Sequence, residues 1–304
     1  MKHNRIGILE LKDDPFIIDV VSRLGEFPVE FLSFAEQPVP ITSEYKVVVD
    51  RLSFCFPYLK ELVKNMSLDG TYVVNNPFAA SANNKLVDAK AFQFLGIPAP
   101  KSLVVSGPEV QNEIASVVNQ PTWDRIVGEV GLPCFFKPVD GYGWDDVYEV
   151  RTLEELKERH TSCGTGKVWL VQQKINYVHY YRVFCVDRRD VLFIKWIPRP
   201  LGMGEYLHTD LGEIEHLKDK LTELTMQLND CLDMDINVVE WCVDDKGQPW
   251  VIDAFNEVPD MPKSRMPSEY YWWIVDRFVA CIKDKLSSGK QNKHSFTIPI
   301  LQQP

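Results

Sequence analysis

Apolar runs alternate with amphipathic stretches along the first hundred residues. The run RIGILEL (5–11) predicts a strand, and the segment after it sets Ile17, Val20, Val21 and Leu24 on one helical face before Gly25. VEFLSF (29–34) and KVVVD (46–50) read as further strands. A helix from residue 57 to about 66 and the strand TYVVNN (71–76) complete a β/α alternation, which predicts a small parallel α/β domain. Asp50 and Arg51 directly follow a strand, where such sheets carry ligand-binding groups, although a solvated loop pair is the simpler account.

From Asn83 a helix is expected to turn Val87, Ala91, Phe94 and Leu95 inward. Gly96 ends it ahead of Pro98 and Pro100, which mark a linker. Next come the strand LVV (103–105), a helix ending at Gly131, the strand CFFKP (134–138), a glycine-containing turn and the strand VYEV (147–150). Thr152 and Glu155 have capping-box spacing for a helix to about His160, and the strand VWLVQQ (168–173) follows. After residue 176 the runs lengthen. YYRVFCV turns through Asp187, Arg188 and Arg189 into VLFIKWI, and a helix carries Ile214, Leu217, Leu221, Leu224 and Leu228 on one stripe. INVVEWCV and PWVIDAF flank a hairpin signal at 244–247. A last helix, about 268–286, presents Trp272, Val275, Val279 and Ile282 to a core or interface. The divisions expected are 1–100, 101–176 and 177–304, with α/β architecture first and α+β in the C-terminal part.

Composition narrows the class of protein. With 45% apolar and 12% aromatic residues, the chain has ample material for a core in each unit. No run approaches the roughly 20 apolar residues that a membrane helix requires, so a soluble, cytoplasmic chain is expected. A formal charge of −10 disfavours nucleic acid or an anionic membrane as partner, because both demand a basic face. The seven cysteines show no metal-knuckle or redox-pair spacing and read as reduced, mostly buried thiols.

Two segments carry the chemistry. In CFFKPVDGYGWDDVYEV, Lys137 stands in an apolar strand, where an ammonium is costly unless an anion meets it. Gly141 and Gly143 then allow a turn whose backbone amides can face phosphate oxygens. An edge-strand lysine beside an ordinary hairpin is the alternative. In VVEWCVDDKGQPWVIDAFNEVP, strand alternation sets Glu240 and Asp253 on neighbouring positions across a hairpin. Two close carboxylates repel, so a proton or a cation must separate them. Magnesium (or manganese) suits hard oxygen ligands, with Asn256 as a neutral third donor; two outward-facing solvated carboxylates are the alternative. A third segment, VWLVQQKINY, runs from a strand into a polar linker, with Val171 and Ile175 as apolar walls for an adenine edge.

In order and spacing these segments resemble the ATP-grasp superfamily, in its glutathione synthetase and ribosomal-protein glutamate ligase branch, over nearly the whole length. The resemblance implies an ATP-grasp fold behind an N-terminal Rossmann-like domain, with ATP and magnesium activating a carboxylate for attack by an amine. Lys85, in NNKLVDAKAFQFLGIPAP, matches the family's earlier lysine, and Lys137 with Gly141 and Gly143 its phosphate strand and loop. Gln172, Gln173, Lys174 and Ile175 match the nucleotide linker, Arg182 the arginine strand, and Glu240, Asp253 and Asn256 the metal set. Partners implied are a small-molecule or peptide carboxylate and an amine, and relatives often pair as homo-oligomers through the N-terminal domain. A small-molecule kinase and a non-catalytic nucleotide-binding module are the rival readings.

This sequence departs from the family pattern at four places. Trp144, Asp145 and Asp146 occupy the glycine loop, and Tyr180 replaces an acid that often meets the ribose. Leu207, His208 and Thr209 stand where an arginine-containing triplet is usual, which makes Arg199 or His208 the substitutes. Asp253 precedes Asn256 by three positions instead of two, so a bulge is needed or Phe255 takes the ligand position.

Overall fold

The computed structural model describes residues 4–34, 42–114, 116–141, 143–164, 166–199 and 203–294. Parts of the loops 35–45 and 199–212, Tyr142 of the glycine loop and the end of the polar C-terminal stretch lie outside the described residues. The N-terminal unit contains β1 (Ile6–Leu9), α1 (Pro15–Leu24), β2 (Val29–Phe31), β3 (Val47–Asp50), α2 (Pro57–Leu68), β4 (Tyr72–Val74) and the short α3 (Pro77–Ala82). Asp14 starts α1 by accepting the Ile17 N–H at 2.8 Å, with Pro15 in the first turn. The four strands pair in parallel in the order β2-β1-β3-β4.

α4 (Lys85–Leu95) is capped by Asn84, which accepts the Leu86 and Val87 N–H groups, and closes at Gly96 in a left-handed conformation (φ 65°). Its buried face differs from the expected one. Asp88, Ala91 and Phe92 are inside, whereas Val87 is exposed and Phe94 is 83% exposed. A carboxylate on the buried stripe hides that stripe from a search for apolar periodicity.

A second, antiparallel sheet follows. It is built from β5 (Ser102–Ser106), β6 (Cys134–Pro138), β7 (Tyr148–Val150) and β8 (Val168–Gln173) in the order β5-β8-β6-β7, with α5 (Pro108–Glu113), α6 (Trp123–Val130) and α7 (Leu153–Ser162). Thr152 caps α7 through the Glu155 N–H at 3.1 Å. Cys134, Phe136, Trp169 and Val171 pack beneath α6 and α7 as a separate core. Alternation therefore sends Phe135, Lys137, Leu170 and Gln172 to the opposite face. β6 lies between β8 and β7, so Lys137 is on an interior strand. Val171, expected to wall a cleft, instead belongs to the core under the helices, and Leu170 has the other orientation.

The C-terminal sheet has the order β11-β10-β9-β12-β13, from β9 (His179–Val186), β10 (Asp190–Ile197), β11 (Glu205–Leu207), β12 (Ile236–Val243) and β13 (Pro249–Asp253), all antiparallel. Asp187 and Arg188 take positive φ (53° and 59°), as a tight hairpin requires. α8 (Glu215–Cys231) lays Leu217, Leu221 and Leu228 on one face, with Val183, Val239, Trp241 and Val251. On the other face Phe184, Val186 and Val238 join α9 (Ser268–Ser288) and the N-terminal strands in one core that also holds Ile6, Ile8, Val47 and Val74. Buried charge ties the same units together: Lys285 meets Asp187 at 2.5 Å and Asp235 at 3.3 Å, and Asp235 accepts the Tyr72 hydroxyl at 2.8 Å.

Two simpler points concern the sequence expectations. All seven cysteines are free, with Cys134, Cys185, Cys242 and Cys281 buried and Cys55 and Cys231 exposed. Among the described residues no helix is long and apolar enough to cross a membrane.

Beyond α9 the chain returns to the N-terminal sheet. Asn292, buried beside edge strand β4, accepts the Val73 N–H at 2.8 Å, donates to the Val73 carbonyl at 2.8 Å and accepts the Ser67 hydroxyl at 3.0 Å. Its side chain thus supplies what a neighbouring strand would. Asn292→Ala strands two backbone groups at once, and urea denaturation should show a loss of about 2–3 kcal/mol.

Candidate functional site

One end of the C-terminal sheet is apolar and packed against the N-terminal unit, and the other end of the same face is charged. Along β9 the even positions Tyr180, Arg182, Phe184 and Val186 share that face, as Val238, Glu240 and Cys242 do on β12. Regular pairing from the 244–247 turn would set Asp253 opposite Val239, on the face that packs against α8. The ladder instead shifts between Glu240 and Trp241, so that Trp241 pairs with Val251 but Glu240 pairs with Asp253. This bulge turns Asp253 onto the side of Glu240. The bulge lies before Asp253 and leaves the spacing from Asp253 to Asn256 as it is; Asn256 follows with its backbone N–H on Asn237 Oδ1 and its side-chain amide on the Val238 carbonyl, both at 2.8 Å. Asn256 therefore spends its NH2 group on β12 and keeps its amide oxygen as a donor for a cation. Phe255 packs against the α8 core instead.

Cations gather on the two carboxylates. Lys85 Nζ lies 3.7 Å from Asp253 and donates to the Gly141 carbonyl at 2.7 Å. Arg182 Nε is 3.6 Å from Glu240, and the Arg182 guanidinium bonds the Tyr206 hydroxyl and stands over the Trp196 ring at 5.1 Å. Tyr180 donates to Glu240 at 2.6 Å. The residue that stands where the resembled family often has an acid therefore holds Glu240. Burial raises the Glu240 pKa, with Arg182 acting against the rise.

Lys137 is 7% exposed and has no hydrogen bond or ion pair to another described residue. Burial pulls its pKa down to about 8, while Asp253, Glu240 and Asp88 support the ammonium and Lys85 opposes it. A cavity of about 620 Å3 opens beside it, walled by Lys85, Asp88, Ile97, Ser102, Gln172 and Ile252 among others. Gln172 donates to Ser102 at 3.0 Å, Gln173 pairs with the Lys101 backbone, Lys174 meets Glu149 at 2.8 Å, and Ile175 packs on the shared core.

The glycine turn lies over this region. Gly143 has φ 64°, a region that Trp144 and Asp146 of the same turn also occupy, whereas a Cβ on Gly141 would stand 2.4 Å from Pro138 Cγ, so Gly141 demands glycine. Asp146 is held by Lys167 at 2.6 Å and Tyr148 at 2.9 Å, and Trp144 sits edge-on to Phe135.

Two sequence candidates stand apart from this group. Arg199 pairs with Glu205 at 2.6 Å and His208 with Glu269 at 3.0 Å, all four side chains being largely exposed. Lys263 and Arg265 likewise engage Asp19 and Asp260. Arg51 is buried against Glu10 and the Pro259 carbonyl, and Asp50 caps the turn at Leu52 and Ser53.

Two members of the cluster escape sequence reasoning. Tyr206 links Arg182 to the Asp260 carbonyl. Asp88 is 1% exposed, and burial, then the charge of Asp253, raises its pKa well above the usual carboxylate value. Its one legible signal was the three-residue step from Lys85, which puts both on one helical face.

The donor set of Glu240, Asp253 and the Asn256 amide oxygen fits magnesium, which takes hard oxygens from one or two carboxylates and completes its shell with water and phosphate. Among the described residues no group of three or more His, Cys, Asp or Glu side chains is placed to hold a metal, so two carboxylates are what the chain itself supplies here.

No protein-family model matches the sequence, and no curated protein does either. Solved structures do match. A RimK domain protein of the ATP-grasp type from Sphaerobacter thermophilus superposes with a TM-score of 0.66 at 18% identity, over 91% of this chain and 99% of that one. The ATP-grasp ligase PsnB, complexed with precursor peptide PsnA2 and AMPPNP, gives 0.64 at 16% identity over 93% and 100%. PsnB with a minimal precursor, Mg and ADP gives 0.64 at 14% identity over 92% and 97%. The chain has the ATP-grasp fold.

The two arginines provide a direct check on which charges are structural partners of the cluster. Arg182→Met leaves Glu240 buried without its cation and should cost about 3–5 kcal/mol in chemical denaturation. Arg199→Met, at an exposed pair, should stay within about 0.5 kcal/mol.

Proposed function

We propose that the protein is an ATP- and magnesium-dependent ligase that joins a carboxylate to an amine through an acyl phosphate. One observation carries the reading: Lys85 and Lys137 line a cavity between two sheets, Lys85 reaches Asp253, and Asp253 pairs across the hairpin with Glu240, the ion partner of Arg182. Cations in this number around a metal-ready carboxylate pair suit a polyphosphate. The fold supports it, since PsnB and the RimK domain protein share it.

In this reading Glu240, Asp253 and Asn256 hold magnesium, which when bound screens phosphate charge. Lys85 and Lys137 neutralise the phosphates. The glycine-turn amides at Gly141 and Gly143 hold the transferred phosphoryl group and keep water away. Gln172, Gln173, Lys174 and Ile175 form the side of the site that meets the base. Arg182 faces the substrate carboxylate and its acyl phosphate, with Nε lacking a hydrogen-bond acceptor. The substrate carboxylate oxygen bonds to the γ-phosphorus as the bond to ADP breaks. The amine nitrogen then bonds to the acyl carbon, inorganic phosphate leaves, and the amine proton passes to solvent. The acid is a small molecule or a peptide side chain, consistent with the peptide seen on PsnB. Arg199 and His208 serve this site only if the 199–212 segment brings them inward. A cytoplasmic setting and pairing through the N-terminal domain complete the proposal.

The test is phosphate release over a panel of carboxylic acids and amines with ATP and magnesium. Lys137→Ala and Asp253→Asn should each lower the rate at least about 100-fold. Chelation should abolish it. Product phosphorylated without any amine would identify a kinase, and tight nucleotide binding with no ADP across the panel would identify a binding module. Because phosphate contact needs the ammonium form of Lys137, nucleotide affinity should fall as pH rises past about 8; a flat profile between pH 7 and 9.5 would remove Lys137 from the phosphates.

A further inference from the structure

Ser102 and Gln172 pair directly across β5 and β8, and both line the cavity that Lys85 and Lys137 share. Gln172 lies opposite Phe135 and Lys137 opposite Leu170, so the amide stands one diagonal step from the ammonium on the same face, about 7–8 Å between Cα atoms. Two hydrogen bonds decide how that amide is turned. Ser102 Oγ donates to the Pro100 carbonyl at 3.1 Å, and the same oxygen accepts from Gln172 Nε2 at 3.0 Å. A hydroxyl has one proton to give, so with it committed to Pro100 the oxygen can only accept. The reverse amide orientation would bring two oxygens together with no hydrogen between them. Gln172 is buried, which leaves little solvent to relieve such a contact. Its NH2 group therefore points at β5, and its carbonyl oxygen, which makes no hydrogen bond to another described residue, is left to accept one from a ligand.

We infer that Ser102 is a positioning residue that selects the base: by fixing the Gln172 amide it makes the site accept a purine with a 6-amino donor, an adenine nucleotide, and reject a 6-oxo purine. This rests on the ATP reading above and names the pair that reads the base. Adenine presents N–H donors at its 6-position, where guanine presents an acceptor oxygen. A fixed carbonyl gains a bond from the first and meets the second oxygen to oxygen. An amide free to rotate would serve both. Ser102 thus contributes discrimination more than affinity, which a hydroxyl serving only the fold would not do. Lys85 and Lys137 have no part in the choice, because both nucleotides carry the same phosphates.

The experiment measures binding of magnesium·AMPPNP and of magnesium·GMPPNP by calorimetry for the full chain and for Ser102→Ala and Ser102→Thr. The parent should prefer the adenine nucleotide at least about tenfold. Ser102→Ala should narrow that ratio to within about threefold, chiefly through tighter binding of the guanine nucleotide. Ser102→Thr keeps the hydroxyl and should keep the parent's ratio. An unchanged ratio in Ser102→Ala, equal weakening of both nucleotides included, overturns the inference. So does failure of that variant to fold, which would make Ser102 a residue of the fold. A ratio lost in Ser102→Thr as well would assign the effect to packing and overturn the role of the hydroxyl. A parent that binds both nucleotides equally overturns the inference and leaves the ATP reading standing, whereas a parent that binds neither removes that reading and this inference with it.

Discussion

An extra residue in one strand governs the chemistry of this molecule. In an unbroken β12–β13 ladder, Asp253 would follow Val251 into the core beneath α8, and Glu240 would stand opposite Ile252. The bulge rotates Asp253 through the sheet and sets it across from Glu240. Two carboxylates paired across strands in a buried place repel, so the arrangement needs a proton or cations around it. Arg182 comes from the adjacent strand, Lys85 from the helix packed on β13, and Lys137 from the sheet on the far side of the cavity.

Formal charge in this cluster balances before any ligand arrives: Asp88, Glu240 and Asp253 against Lys85, Lys137 and Arg182. Partner quality is uneven, however. Glu240 has an arginine and a tyrosine hydroxyl, while the Lys137 ammonium has electrostatic support and no direct bond to a described residue. The weakest-served charges face the cavity. Lys137 is thus the charge left open toward the cavity, whereas Glu240 is already met by Arg182 and Tyr180.

Much of this was legible in the sequence. The strands around Lys137 and Glu240 start and stop where their apolar runs do, and the family phrase around Lys85 lies on the expected helix. Glu240 and Asp253 were expected on neighbouring positions from alternation alone, but regular pairing would set Asp253 opposite Val239, and it is the unpaired Ile252 that brings the two across from each other. What escaped were features that break a period or join distant segments. α4 buries Asp88 where an apolar residue would announce the inner face, so Val87 and Phe94 were assigned inward and lie outside. Val171 looked like a cleft wall until strand pairing fixed its side of the sheet. The links from Arg182 to Tyr206 and from Tyr180 to Glu240 connect residues dozens of positions apart, and only coordinates bring them together.

The cores carry a mechanical consequence. N-terminal and C-terminal sheets share one apolar interior with α9, reinforced by Lys285 and Asp235, whereas the middle sheet has its own. The chain crosses between them only at the stretches around residues 96–101 and 174–178. The middle sheet is thus joined to the other two by two chain crossings. Lys85 and Asp88 belong to α4, on the side of Glu240, Asp253 and Arg182, while Lys137 and the glycine turn belong to the middle sheet. Lys85 bridges the two parts directly, its ammonium on the Gly141 carbonyl at 2.7 Å and its backbone N–H on the Val139 carbonyl at 3.3 Å.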